Sequence, residues 1–144
     1  MMSLVAKNYR RITAGKPIRL FKSHRPDCAD GEQRRDFVYV KDCAAVMLCL
    51  WHRGSGVNIN GLYNLGTGKA RSFLDLMNAV GAACGAAPNI EFVDIPPEIR
   101  PSYQYFTEAV VGKLRAAGYA ALFASLEDAV ADYVGEHLAK NPYL

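Results

Sequence analysis

The chain has 144 residues, 51% of them hydrophobic and 22% charged, with 12 Gly, 7 Pro, 4 Cys and a formal charge of +3. That is the composition of one ordinary globular domain, and it excludes a disordered tail, a collagen-like repeat and a disulfide-stapled miniprotein. The longest uninterrupted apolar run, Cys43 to Trp51, falls short of the roughly 20 residues a membrane span needs, so no bilayer segment is expected.

Lys7, Arg10 and Arg11 follow a very short apolar stretch, the reverse of the order in a secretory signal, and a cytoplasmic location is expected. Cys28, Cys43, Cys49 and Cys84 form no C-x-x-C, and His24, His52 and His137 form no H-x-x-x-H, so neither a zinc site nor a redox pair is indicated. The charge is unevenly spread. Residues 1 to 72 hold 13 Lys and Arg against 5 Asp and Glu, whereas residues 73 to 144 hold 4 against 9. The basic half is either an anion-binding surface or a solvated face. No helix-turn-helix or RNP pattern accompanies it, which argues against nucleic acid.

In chain order, residues 3 to 14 predict a helix, with Leu4, Val5 and Ile12 near one face and Gly15 followed by Pro17 as its stop. Residues 17 to 22 alternate like a short strand with proline at its edge. Ser23 to Gln33 is a polar loop with Pro26 and Gly31. Arg35 to Val40, rich in β-branched and aromatic residues, predicts a strand, and Asp42 is expected to cap a helix ending near Arg53. Gly54, Gly56 and Gly61 flank the connection to a further strand, Leu62 to Leu65. After Gly66-Thr67-Gly68, Ser72 and Asp75 have capping-box spacing at the head of a helix over 73–83. Asn89 to Ile95 predicts another strand. Two helices are expected at the end, about 108 to 117 with Gly118 as stop, then one opening at Ser125 with Leu126, Ala129, Val130, Tyr133, Val134 and Leu138 at helical spacing. Strands alternating with helices indicate α/β or α+β layer packing.

Gly66-Thr67-Gly68-Lys69, between a strand and a helix, invites a phosphate-loop reading, because glycine-turn amides attract anions. The spacing fails. A P-loop needs glycine at position 63 and Ser or Thr at position 70, where Tyr63 and Ala70 stand, and the dinucleotide fingerprint needs glycine at position 71, where Arg71 stands. A tight turn is the competing reading, with Arg71 still available to a phosphate. The pair Arg34-Arg35 suits a diphosphate through bidentate guanidinium bonds, or else pairs with Asp36 and the loop acids. None of the eight tyrosines begins a Tyr-x-x-x-Lys, and no G-x-S-x-G or H-E-x-x-H occurs, so the sequence carries no visible catalytic machinery.

Four stretches carry a family resemblance: residues 35–42 (Arg-Asp-Phe-Val-Tyr-Val-Lys-Asp), 63–68 (Tyr-Asn-Leu-Gly-Thr-Gly), 103–109 (Tyr-Gln-Tyr-Phe-Thr-Glu-Ala) and 114–119 (Leu-Arg-Ala-Ala-Gly-Tyr). In this order the chain resembles the C-terminal part of the ADP-L-glycero-D-manno-heptose 6-epimerases, members of the extended short-chain dehydrogenases. The resemblance spans essentially the whole chain. It implies an α/β fold, the substrate-domain portion of an extended short-chain dehydrogenase, with short strands alternating with about five helices and the Rossmann nucleotide-binding half absent. It also implies a cytoplasmic isomerase of lipopolysaccharide inner-core synthesis that inverts C6 of an ADP-heptose, uses NADP and assembles as a homo-oligomer.

Because the family's glycine-rich loop and Tyr-x-x-x-Lys pair lie in the half that these 144 residues do not match, the isolated chain is expected to be inactive, to expose apolar helix faces and to self-associate. By resemblance, Phe21, Lys22, Ser23 and His24 match the segment that closes over the nucleotide. Arg35 matches the arginine that meets the diphosphate, Tyr103 a tyrosine of the substrate pocket, and Lys7 a position where many members carry histidine. The alternatives are a stand-alone nucleotide-sugar-binding or assembly module, and part of an epimerase for another nucleotide sugar.

Overall fold

The computed structural model describes residues 3–53 and 59–140. Gly54 and Gly56, expected beside the loop after the second helix, lie outside them.

The first helix, α1 (Leu4–Thr13), is capped by Ser3, whose hydroxyl accepts from the Ala6 N–H at 3.1 Å. Its buried residues Ala6 and Ile12 face the core, and buried Asn8 is satisfied by the Leu4 carbonyl at 3.0 Å. Strand β1 (Ile18–Phe21) follows and pairs in parallel with β4 (Ile90–Val93), Ile18 opposite Ile90 and Phe21 opposite Val93. A parallel pair needs a long crossover. Here the crossover carries β2 (Arg34–Arg35), α2 (Val40–Arg53), β3 (Arg71–Ser72) and α3 (Phe73–Ala83).

Helix α3 is the centre of the main core. Leu76, Met77, Ala79 and Val80 are buried against Ile12, Ile18 and Leu20, and against Val130, Val134 and Leu138 of the last helical segment. The capping box at its head is formed in both directions, Ser72 to the Asp75 N–H and Asp75 back to the Ser72 N–H. The last segment is α5 (Leu126–Asp132), capped by Ser125, which continues as a π-helical turn over Tyr133–Leu138.

Four expectations need correction. The strand expected over 35–40 is only the two-residue β2, antiparallel to β3 and parallel to β5 (Phe106–Thr107). Beyond it Phe37 packs edge-on to Phe73 at 5.6 Å and the Tyr39 hydroxyl donates to Asp132, so side-chain anchors override the strand propensity of this stretch. Helix α2 therefore starts at Val40, and Asp42 is not its cap: it sits in the first turn and accepts the Ala124 N–H at 3.0 Å.

Leu62 to Leu65 forms no strand. Leu62 is 91% exposed and its carbonyl accepts from the Lys113 ammonium at 2.7 Å. The helix expected over 108–117 is cut to α4 (Gly112–Ala116), because the Ala109 N–H is committed to Asp36 at 3.1 Å; Gly118, at φ +96°, follows the end of that helix.

Helix α2 is apolar on two faces. One buries Val46 with Cys49 and Leu50 against Leu114, Tyr119 and Phe123. The other presents Val40, Ala44, Met47, Leu48 and Trp51 at helical spacing to solvent, Trp51 being 81% exposed. Among the described residues no helix is long and apolar enough to cross a membrane.

Candidate functional site

The end of β1 is fixed by a buried polar side chain. Gln33, only 1% exposed, donates its amide to the carbonyls of Phe21 and Lys22, each at 3.2 Å, while the Gly31 N–H reaches the Phe21 carbonyl at 3.3 Å. The chain leaving the polar loop is thereby tied back to the strand that entered it. Pairing of β2 with β5 then brings Arg35 beside the segment 103–105, with the Arg34 N–H on the Tyr105 carbonyl at 2.8 Å.

The result is a run of aromatic rings around one guanidinium. Phe21 meets Tyr103 edge-on at 5.7 Å, and Tyr103 meets Tyr105 edge-on at 5.4 Å. The Arg35 guanidinium lies 5.6 Å from the Tyr103 ring centre and 5.7 Å from that of Phe73. It donates to the carbonyls of Arg34, at 2.8 Å, and Gln104. Among the described residues no carboxylate pairs with it, so its charge is oriented by rings and carbonyls and keeps N–H groups for an anion. Burial pushes the Tyr103 phenol upward, and the nearby Arg35 charge opposes that shift only in part.

Of the residues singled out in the sequence, Phe21 and Arg35 thus each meet Tyr103. Lys22 and His24 lie on the adjoining loop and both reach Asp94, at 3.8 and 3.9 Å. Ser23 organises the loop itself: its N–H donates to Asp30 at 2.6 Å and its hydroxyl to the Arg25 carbonyl at 3.1 Å. Lys7 stands exposed on α1 with no hydrogen bond or ion pair to this cluster. The two arginines of the Arg34-Arg35 pair do not act together, because neighbouring strand residues point to opposite faces, and Arg34 is exposed.

Phe73, Tyr105 and Gln33 are the residues that sequence reasoning missed. Tyr105 had a usable signal, since in an extended segment it shares a face with Tyr103 two residues earlier. Gln33 had none, as its partners are carbonyls eleven and twelve positions away.

The glycine turn is settled by Asp36. Its carboxylate accepts the Thr67 N–H at 2.8 Å, the Thr67 hydroxyl at 2.6 Å, the Gly68 N–H at 2.9 Å and the Ala109 N–H at 3.1 Å. Burial alone would raise this carboxyl, but the four donors outweigh it and hold it below the ordinary carboxylate range. The next amides are also committed, Lys69 to the Thr67 hydroxyl at 3.1 Å and Ala70 to Glu108 at 2.8 Å. The amides that would cradle a phosphate already hold a carboxylate, so the turn reading stands. Arg71 is likewise engaged, with Asp75 at 2.9 Å and Glu127 at 2.8 Å, which hold its charge firmly on and are themselves lowered by it.

Known proteins fit this picture. The family model described as the NAD dependent epimerase/dehydratase family matches residues 1–66. An ADP-L-glycero-D-manno-heptose-6-epimerase of Nitratidesulfovibrio vulgaris is 48% identical over the whole chain, which spans 44% of that relative's length. The solved structure of the Helicobacter pylori ADP-L-glycero-D-manno-heptose-6-epimerase superposes with a TM-score of 0.74 at 22% identity, over 98% of this chain and 39% of that one. That of the Thermus thermophilus UDP-glucose 4-epimerase, in complex with NAD, superposes with a TM-score of 0.71 at 27% identity, over 94% and 40%. In sequence and in fold the chain is thus similar, over less than half their length, to ADP-L-glycero-D-manno-heptose-6-epimerases, and its residues 1–66 match the model of the NAD dependent epimerase/dehydratase family.

Proposed function

We propose that the chain is the nucleotide-sugar-binding part of an ADP-heptose 6-epimerase, acting in the cytoplasm on the heptose of the lipopolysaccharide inner core. The observation that carries this reading is the Arg35 guanidinium, free of carboxylates among the described residues and set between Phe73 and Tyr103 beside Phe21. A diphosphate suits such a charge through bidentate hydrogen bonds, and flat aromatic faces suit an adenine or a sugar ring. Lys22, Ser23 and His24 form the adjoining rim. The 48% identity to an enzyme named for an ADP-heptose supports the choice of ADP over UDP.

NADP is the cofactor we assign to the complete enzyme, where it would take a hydride from the sugar and return it. The residues in hand do not form a seat for it. The amides of the glycine turn are spent on Asp36 and Thr67, and the sequence has no Tyr-x-x-x-Lys, so we derive no redox step from this chain and expect it alone not to turn over substrate. Homo-oligomeric association is assigned to the exposed stripe of α2.

A thermal-shift series tests the reading. ADP-mannose should raise the melting temperature while NADP and UDP-glucose leave it unmoved. A larger rise with UDP-glucose would instead favour an epimerase part for another nucleotide sugar, and no rise with any would refute binding by this chain.

A further inference from the structure

Tyr105 occupies the point where the polar loop meets the aromatic cluster. Its hydroxyl accepts the His24 N–H at 3.0 Å, across 81 positions of sequence. One face of its ring carries the Arg25 guanidinium, 5.1 Å from the ring centre, and its ring also packs edge-on to Tyr103. Its carbonyl accepts the Arg34 N–H at 2.8 Å, one residue before Arg35. The loop's first turn is internally built, Arg25 pairing with Asp27 and its N–H reaching the Ser23 hydroxyl at 3.1 Å. That turn is a preformed unit, and Tyr105 ties it to the strand beside Arg35. At the other end of the loop Gln33 performs the corresponding tie to Phe21 and Lys22.

We propose that Tyr105 is a positioning residue whose hydroxyl latches the 23–33 loop onto the Phe21, Tyr103 and Arg35 cluster and so prearranges the seat for the nucleotide diphosphate; this rests on the nucleotide-sugar reading above. A loop ordered before the ligand arrives spares the ordering cost at binding. Losing the hydroxyl while keeping the ring should therefore weaken binding without unfolding anything.

The test compares the 144-residue chain with Tyr105→Phe and Tyr105→Ala, using ADP-mannose as probe in calorimetric titrations, with melting temperatures and the hydrogen-exchange rate of the His24 amide by NMR. Tyr105→Phe should bind about fivefold more weakly, the worth of one hydrogen bond, with a melting temperature lowered by only about 2–5 °C and faster His24 exchange. Tyr105→Ala should bind more weakly still, since it also loses the ring that meets Arg25 and Tyr103. Equal affinity of Tyr105→Phe and wild type, with wild type binding, overturns the latch and leaves the nucleotide-sugar reading intact. Weaker binding with unaltered His24 exchange also overturns it, because the hydroxyl would then act elsewhere. A wild-type chain that binds no ADP-mannose overturns both.

Discussion

The carboxylate of Asp36 accepts both the backbone N–H of Thr67, at 2.8 Å, and its hydroxyl, at 2.6 Å. With Gly68 and Ala109 as further donors, one side chain joins the end of β2, the glycine turn and the segment leading into α4. The motif that most invites a phosphate is held by a group belonging to the protein itself.

Because the Asp36 carboxyl is held below its ordinary range, the folded state binds fewer protons there than the unfolded chain at acidic pH. Its contribution is fully present above the unfolded value of about 3.9 and is lost as the pH falls through the lower folded value. Urea unfolding followed from pH 7 to pH 3 should show wild-type stability falling below about pH 4, with a shallower fall in Asp36→Asn. At pH 7, Asp36→Ala should cost about 2–3 kcal/mol, since three backbone N–H groups lose their acceptor. Parallel curves for wild type and Asp36→Asn would show that the carboxylate is not the anchor.

Gly66 is required by close approach. A Cβ there would lie 2.5 Å from the Ala109 Cβ and 2.6 Å from an Asp36 carboxylate oxygen. Gly66→Ala should therefore destabilise by about 1–3 kcal/mol, and in the Asp36→Ala background its further cost should shrink because one of the two obstacles is gone. A double-mutant cycle on urea midpoints measures this coupling, and strict additivity would separate the two residues.

The outer stripe of α2 predicts association. A helix apolar on both faces needs cover on both, and Trp51, Met47 and Leu48 have none within the described residues. Sedimentation velocity should show the wild-type chain self-associating and the double variant Met47→Glu, Trp51→Glu monomeric at the same concentration. Unchanged sedimentation of the variant would place the contact elsewhere.

What could be read from the sequence was what is decided locally. The capping box of Ser72 and Asp75, the span of α3 and the alternation of Ile18 and Leu20 all follow from spacing within a few residues. Residues 35–40 and 62–65 have strand composition, yet strand pairing is decided by partners far along the chain, and those partners reach only Arg34 and Arg35. The candidate site divides in the same way. The family resemblance pointed to Phe21, Arg35 and Tyr103, which the fold brings together, whereas Lys7 stays apart on α1. The opposing directions of Arg34 and Arg35, and the parts played by Gln33 and Phe73, emerge only once β2 has its neighbours.

Calorimetric titration of ADP-mannose into the chain and into Arg35→Ala and Arg34→Ala tests the central claim most directly. The account predicts saturable binding by wild type, a loss of about 1.5–3 kcal/mol for Arg35→Ala, as for a charged hydrogen bond, and little change for Arg34→Ala. Binding unaffected by Arg35→Ala, or no binding by wild type, would contradict it.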